Sequence, residues 1–331
     1  MPTKIEWANE VWNPVVGCTP ASAGCDHCYA RAMFNRNLVI HTHKFENPST
    51  YPNRLDIPFH WKNPRRVFVN SMSDLFHPDV PFSFIDDVFS VMTGNNRHTF
   101  MVLTKRPKRM IEFLKQHYLP GAKADNIWLG VSVEDQETAD QRIPQLLLAT
   151  VAAVRFVSVE PMLGPVELRK IKGDFVNFNV LDKSRFDYGI DGFGVGAPMS
   201  IGIDWVVCGG ETGPRARPVH PDWIRSLQDQ CVKANIPFFF KQWGEWLPIS
   251  EMKESEWDKL YKPQSKIYPE SKRDCKVKNV GIRFDGEIDN WESIEGKPTF
   301  LTFKIGKKKG GRKLDGREWN QFPEVKQCIK N

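Results

Sequence analysis

The sequence predicts an α/β protein built as a full or partial (β/α) TIM-type barrel of parallel strands. Three observations lead there. Seven short strand-like units alternate with amphipathic helical stretches, the pattern of a parallel sheet with right-handed crossovers. Strand after strand ends in a polar, chemically loaded tip, as when the carboxyl ends of barrel strands ring one site. At 331 residues the chain is long enough for one large domain with attachments, or for two domains. A doubly wound sheet satisfies the alternation too, and the loaded tips decide for the barrel. A partial barrel, open on one side to admit a large substrate, is the expected form.

The first unit is the segment around Trp12–Arg31, with a short helix over 29–35 in which Met33 and Phe34 are available for packing. A polar, proline-punctuated stretch over 41–62 reads as an irregular connection. The second strand is Arg66-Val67-Phe68-Val69, tipped by Asn70-Ser71-Met72-Ser73-Asp74. Ser83 is placed to cap the next helix, where Phe84, Val88, Phe89 and Met92 share one face. The third strand, 99–103, ends in Thr104-Lys105-Arg106, and Pro107 starts a helix carrying Met110, Ile111 and Leu114. The fourth, 127–131, ends in Ser132-Val133-Glu134 ahead of a helical region over 138–148. The fifth, 154–157, ends in Ser158-Val159-Glu160-Pro161. A glycine-rich, poorly periodic segment at about 173–203 reads as an insertion or lid. The sixth strand, 205–208, is tipped by Gly209-Gly210-Glu211, and Pro221 starts a helix ending near 235. The seventh, 236–240, is tipped by Lys241-Gln242-Trp243-Gly244-Glu245. The expected domains are a barrel over 1–247 and a basic C-terminal extension over 248–331 docked on it.

Chemistry concentrates in WNPVVGCTPASAGCDHCYAR. Cys18, Cys25 and Cys28 fall within eleven residues as C-x6-C-x2-C, and Pro20, Ser22, Gly24 and Asp26 are loop-formers that let the backbone wrap a metal centre. A closed structural zinc site or an ordinary iron–sulfur site takes four protein ligands, and the next cysteine is Cys208. Three thiolates and a vacancy is the pattern of a cluster with one iron left open. His27 is a fourth-ligand candidate for zinc, but between Cys25 and Cys28 its ring is hard to aim at the same ion. A zinc knuckle and three incidental buried thiols are the other readings.

The run Asn13-Pro14, Gly17-Cys18, then Cys25-x2-Cys28-Tyr29-Ala30-Arg31 resembles the cluster loop of radical S-adenosylmethionine enzymes, closest to the spore photoproduct lyase-like branch. The whole chain also resembles a three-cysteine-motif family, of no settled function, encoded by phages and bacteria. The first gap is x6 where the superfamily usually has x3. The resemblance implies a full or partial barrel and a [4Fe–4S] cluster on Cys18, Cys25 and Cys28. It also implies S-adenosylmethionine on the open iron, cleavage to a 5′-deoxyadenosyl radical, and an electron-donor protein. By the same resemblance the fourth-strand tip, Ser132 and Glu134, holds the ribose. The second-strand tip, Asn70, Ser71 and Ser73, meets the methionyl amino group.

Carboxylates and hydroxyls at strand ends suit a vicinal diol, and Ser158 and Glu160 repeat the wording of Ser132 and Glu134. Lys105 or Arg106 is placed to pair with a carboxylate. Gly209-Gly210-Glu211 resembles the superfamily's GGE motif but ends the sixth strand, not the second. It reads as a glycine turn that lets the backbone approach a ligand, with Glu211 facing the site. Arg215, Arg217 and His220 follow as a cationic cluster before a helix, suited to a substrate anion such as phosphate. Lys241 completes the substrate-facing set. No G-x-x-x-x-G-K-[ST] loop and no H-E-x-x-H is present, and His77 and His98 read as structural or solvent-exposed.

Net charge is +6, of which +5 lies from Glu251 onward, where 19 basic residues face 14 acidic ones. In that stretch Lys307, Lys308, Lys309, Arg312 and Lys313 form a glycine-interrupted run able to follow a phosphate backbone of DNA or RNA. The turn over 314–319, with Phe322, reads as too ordered for a free tail, and resemblance to the ending of the three-cysteine-motif family implies docking on the barrel beside the site. Seven cysteines, three bunched and four scattered, do not read as a disulfide framework, so a reducing cytoplasm, bacterial or phage-infected, is expected. The first ten residues lack the apolar core of a secretory signal, and the longest apolar run, over 146–154, is too short for a bilayer. The expectation is a radical S-adenosylmethionine enzyme that modifies or repairs nucleic acid. A zinc-bound nucleic-acid-binding protein without catalysis and a barrel hydrolase using Glu134, Glu160 or Glu211 are the alternatives.

Overall fold

A computed structural model of the protein describes residues 3, 5–36, 44–119, 121–173, 177–183, 202–264, 273–289 and 299–324. Seven strands form one all-parallel sheet: β1 (Glu10–Trp12), β2 (Arg66–Val69), β3 (Thr99–Thr104), β4 (Ala124–Val133), β5 (Ala152–Val159), β6 (Trp205–Gly209) and β7 (Phe238–Gln242). Their spatial order equals their chain order, and β1 and β7 are not paired with each other. Crossovers of one hand between sequential parallel strands put every connecting helix on the same face. Helices α1 (Tyr29–Arg36), α2 (Phe82–Gly94), α3 (Pro107–His117), α4 (Gln136–Leu147) and α5 (Pro221–Lys233) follow strands β1, β2, β3, β4 and β6. One core cluster joins Val67, Val102, Leu129, Val157, Val206 and Phe240 to the buried faces of α2, α3, α4 and α5.

The opposite sheet face carries a second core with no helix residue in it: Trp7, Phe68, Met101, Trp128, Phe156, Trp205, Val207 and Phe239. The Trp7 indole lies 4.7 Å from the Phe68 ring of β2 and 6.0 Å from the Trp205 ring of β6. Four steps of about 4.8 Å would separate β2 from β6 by about 19 Å in a flat sheet, too far for one indole to bridge. The sheet is therefore curled into a half-barrel, and Trp7 plugs its concave side.

A smaller antiparallel sheet follows, with β8 (Trp246–Pro248), β9 (Asn279–Arg283), β10 (Ile288–Asp289) and β11 (Thr299–Lys304) in the order β8-β11-β9-β10. It is tied to α5 through Trp223 Nε1, which donates to Phe284 O at 2.8 Å. The outer edge of β7 is occupied by the chain's own end. Phe240 N donates to Trp319 O (2.9 Å) and Gln321 N to Phe238 O (3.2 Å), while Phe322 packs against Trp205 and Phe239. An uncovered edge would offer free backbone groups to another chain, and this segment satisfies them.

Three local expectations are corrected. Pro81, not Ser83, precedes α2, and its carbonyl takes the N–H groups of Phe84 and Ile85, with no side-chain cap. β4 and β5 run on through their expected tips, so Ser132 pairs in register with Ser158. β7 starts two residues late, after Pro237, and includes Lys241 and Gln242. Residues 174–176 and 184–201, most of the expected glycine-rich insertion, lie outside the described residues, as does Cys328. No helix among the described residues is long and apolar enough to cross a membrane.

Candidate functional site

The cysteine segment folds over the carboxyl ends of the sheet, and the strand tips hold it there. Asn13 Oδ1 accepts from Ser71 Oγ and Met72 N, both at 3.2 Å. Ser73 Oγ donates to Val15 O (2.9 Å), and Asn70 Oδ1 accepts from Val15 N (3.2 Å). Asn70 has φ +60, a conformation that asparagine tolerates better than most residues, and its buried Nδ2 has no partner. Of the three residues expected to meet a ligand amino group, Ser71 and Ser73 spend their hydroxyls on the cysteine segment.

Cys18 is fixed from β3. Its N–H donates to Phe45 O at 2.8 Å, and its thiol to Thr19 O at 3.3 Å. Arg106 donates to both the carbonyl and the hydroxyl of Thr19 at 3.0 Å, and His77 Nε2 meets that hydroxyl at 2.7 Å. Burial pushes the Cys18 thiol up to about 12, with Asp74 adding, Arg106 opposing and Cys25 adding. His77 is therefore not isolated. It accepts from Asp79 N at Nδ1, and burial, with Arg106 nearby, holds its pKa below the usual value. Asp74 is buried where Thr104 Oγ1 (2.7 Å) and Lys105 N (3.0 Å) donate to it.

The turn carrying Cys25 is held from β4 and β6. Glu134, 1% exposed, accepts from Ser22 Oγ (2.8 Å), from Arg142 Nη1 of α4 (3.1 Å) and from Lys105 Nζ. Burial alone would raise its pKa, and Lys105 and Arg142 more than reverse that. Gly24 sits so close that a Cβ there would lie 2.5 Å from the Glu134 carboxylate. Lys105 thus pairs within the site, and Glu134 is enclosed where a ribose carboxylate was expected. On β5, Glu160 stays 20% exposed at its side chain and pairs with Lys241 at 2.8 and 2.9 Å. Ser132 Oγ donates to Glu160 O (3.1 Å), whereas the Ser158 hydroxyl, in register beside it, is buried without a partner.

The Gly209-Gly210-Glu211 turn approaches protein, not open space. A Cβ on Gly210 would meet Trp243 O at 2.0 Å, and Gly210 N donates to Gln242 O at 2.9 Å. Glu211 accepts from Arg217 Nε (2.9 Å), Nη2 (2.6 Å) and N (2.7 Å), and His27 Nδ1 stands 3.1 Å away. Burial acts to raise the Glu211 pKa, and the Arg217 bonds hold it below the usual range. Arg215 is exposed. The expected cationic cluster does not include His220. That ring is buried, accepts from Asp222 N at 3.1 Å as the cap of α5, and has a lowered pKa because burial disfavours its charge.

Sequence reasoning missed Arg142, Ser22 and Tyr29. Tyr29 is 48% exposed, yet its hydroxyl donates to Ser71 O at 2.6 Å, and desolvation there with Glu160 and Cys28 close by raises its pKa. Ser22 was visible only as a loop-former and Tyr29 only as part of the run after Cys28; Arg142 gave no signal.

Cys18, Cys25 and Cys28 are free and half-buried at this mouth. Among the described residues, no three His, Cys, Asp or Glu side chains form a group that could hold a metal ion. Two surface clefts lie elsewhere, around Asn235 and Ile236, and neither is lined by Cys18, Cys25 or Cys28. In the C-terminal part, Lys307, Lys308, Lys309 and Lys313 are exposed, Lys307 within 3.5 Å of Glu6. Arg312 departs from the expected phosphate-binding row. It donates to Lys241 O (3.1 Å) and to Asn320 Oδ1 and lies 5.2 Å from the Phe239 ring, pinning the chain's end to β7.

A family model described as "Protein of unknown function (DUF5131)" matches residues 2–323. No curated protein and no solved structure matches the chain.

Proposed function

The chain belongs to the family described as protein of unknown function (DUF5131), and for this member we propose a radical S-adenosylmethionine-type iron–sulfur enzyme acting on nucleic acid. One observation carries the reading. Three half-buried thiols lie on the segment after the first strand, folded over the carboxyl ends of a curled parallel sheet. The chemistry of the donors suits the group, since thiolates are the usual ligands of such clusters. Buried polar atoms without partners at the same strand ends, Asn70 Nδ2 and Ser158 Oγ, support a ligand there.

Cys18, Cys25 and Cys28 would hold a [4Fe–4S] cluster, leaving one iron for the amino and carboxylate groups of S-adenosylmethionine. When bound, the pair supplies one-electron cleavage of the sulfonium and hence hydrogen abstraction from an unreactive C–H bond, with the electron coming from a donor protein. The protein's own part is orientation. Arg106 and His77 fix Thr19 and so the Cys18 turn, while Glu134 fixes Ser22. The carboxylate left for a ribose diol is Glu160, aimed by Lys241, with the Ser158 hydroxyl beside it. The packed floor of Trp7, Phe156 and Trp205 keeps water from entering below.

Nucleic acid as the substrate class is supported by where the lysines stand. Helix α6 (Lys307–Gly310, after the five described above) packs on the tip of β7: Gly306 N donates to Glu245 O at 3.1 Å, and Gly310 lies against Gly244 O. The helix thus carries three exposed lysines next to the tip of β7. Lys308→Gln, Lys309→Gln and Lys313→Gln together are expected to flatten the slope of log affinity against log salt for duplex DNA by about 2 to 3 units, at roughly 0.9 per phosphate contact. An unchanged slope in binding titrations would remove these lysines from the interface.

The test of the function is anaerobic reconstitution with iron and sulfide, metal analysis, and chromatography for 5′-deoxyadenosine after reduction with S-adenosylmethionine. Iron with sulfide and slow 5′-deoxyadenosine release support the proposal. Zinc without sulfide would make a zinc-bound nucleic-acid-binding protein, and no metal at the cysteines a barrel hydrolase.

A further inference from the structure

We infer that Glu211 and Arg217 are positioning residues: an ion-pair clamp in the turn after β6 that sets where Cys25 and Cys28 stand relative to Cys18. The inference rests on the iron–sulfur reading for its purpose, but its geometry stands on the cysteine segment alone.

The three sulfurs are not held alike. Cys18 and Cys28 pack beside the small apolar cluster of Val16, Ala30, Phe34 and Phe45. The one-turn helix Ala23–Cys25 buries none of its residues, and Ser22 before it makes no side-chain cap. Ser22 gives its hydroxyl to Glu134 instead. With none of its residues buried, this turn is placed chiefly by its polar bonds. Besides the Ser22–Glu134 bond, Arg217 supplies the others. Its Nη2 donates to Ala23 O at 2.9 Å, its Nη1 lies 3.5 Å from Asp26 Oδ2, and the same guanidinium is forked onto Glu211. Glu211 in turn meets His27 at 3.1 Å, so the pair touches Ala23, Asp26 and His27, on both sides of Cys25 and directly before Cys28.

The fork matters because a guanidinium presents several donors in one rigid plane, whereas an ammonium is a point charge. Nε and Nη2 lock onto Glu211, while Nη2 also reaches Ala23 O and Nη1 faces Asp26. Glu211 is itself fixed, since its carbonyl accepts from Glu245 N at 3.1 Å and its neighbour Gly210 is pressed against Trp243 O. The glycine turn therefore delivers a rigid carboxylate, and Arg217 transmits its position to the thiols.

The experiment reads thiol reactivity in metal-free full-length protein, so it does not depend on cluster loading. Peptide mass spectrometry after iodoacetamide gives the alkylation rate of each cysteine. In Arg217→Gln, Cys25 is expected to react roughly tenfold faster, the size of one lost charged hydrogen bond, with a smaller rise at Cys28 and none at Cys18. Arg217→Lys, which keeps the charge and loses the fork, should give an intermediate rise at Cys25. In reconstituted protein the same lysine variant should retain iron but shift the electron paramagnetic resonance signal of the reduced cluster. Buried Cys208 and Cys231 report on the fold. If they become reactive in Arg217→Gln, the comparison is made on Arg217→Lys alone. Alkylation of Cys25 within about twofold of wild type in the variant compared overturns the clamp. A raised rate in protein that never takes up iron keeps the clamp and sinks the enzyme reading.

Discussion

Cys18→Ala, Cys25→Ala and Cys28→Ala are each expected to abolish cluster assembly, leaving reconstituted protein with background iron and sulfide and no 5′-deoxyadenosine. Under the proposed function the effect should be all-or-none, because three thiolates would be the cluster's full set of protein ligands. Losing even an outer hydrogen-bond partner of a ligand costs roughly 10–100-fold in metal affinity, and losing the ligand itself costs more. Cys231→Ala is the control. That thiol is fully buried on the inner face of α5, far in sequence from the array, and its removal should leave iron loading unchanged. Iron and sulfide quantification on the four variants, side by side, decides the matter. Full occupancy in any one of the first three would end the assignment.

The second large effect is expected from Glu134→Ala. This carboxylate is the point where four parts of the molecule meet: the β4 tip that carries it, Lys105 after β3, Arg142 on α4 and Ser22 on the cysteine segment. Truncation leaves the Arg142 guanidinium, 7% exposed at its side chain, and the Lys105 ammonium, 18% exposed, facing a void. Breaking a buried pair by removing one partner costs about 3–5 kcal/mol, most of it from the charge left behind. Glu160→Ala should cost less than about 2 kcal/mol, because Glu160 and Lys241 retain access to water. Urea unfolding of both variants tests this, together with the double variant Glu134→Ala/Lys105→Ala. The double variant should recover part of the loss, since one stranded charge is gone. Equal destabilisation by Glu134→Ala and Glu160→Ala would mean that Glu134 is no hub.

These two glutamates also show how far the chain can be read without its structure. Ser132-Val133-Glu134 and Ser158-Val159-Glu160 are the same words in the same place on neighbouring strands, and the sequence treats them alike. Hydrophobic alternation along each strand and periodicity along each helix are local properties, so the seven strand units, the helices after them and the loaded carboxyl ends were legible directly. The spacing of Cys18, Cys25 and Cys28 was equally plain, since it needs no partner from elsewhere. What a polar side chain does there was not legible, because its partners lie far along the chain. Glu134 is enclosed by a serine 112 residues away, and Glu211 takes a histidine 184 residues away. Arg312 was grouped with the lysines by composition, yet it is spent on Lys241 and Asn320 because the chain's end returns to cover β7. Gly210 was expected to admit a ligand and instead admits the backbone of Trp243. The sequence by itself determined the parallel α/β plan, the ring of polar tips and the three thiols. The curl of the sheet, and which tips hold the cysteine loop and which stay open, were decided only by tertiary structure, since a buried charge must find its partner in space, whatever its distance along the chain.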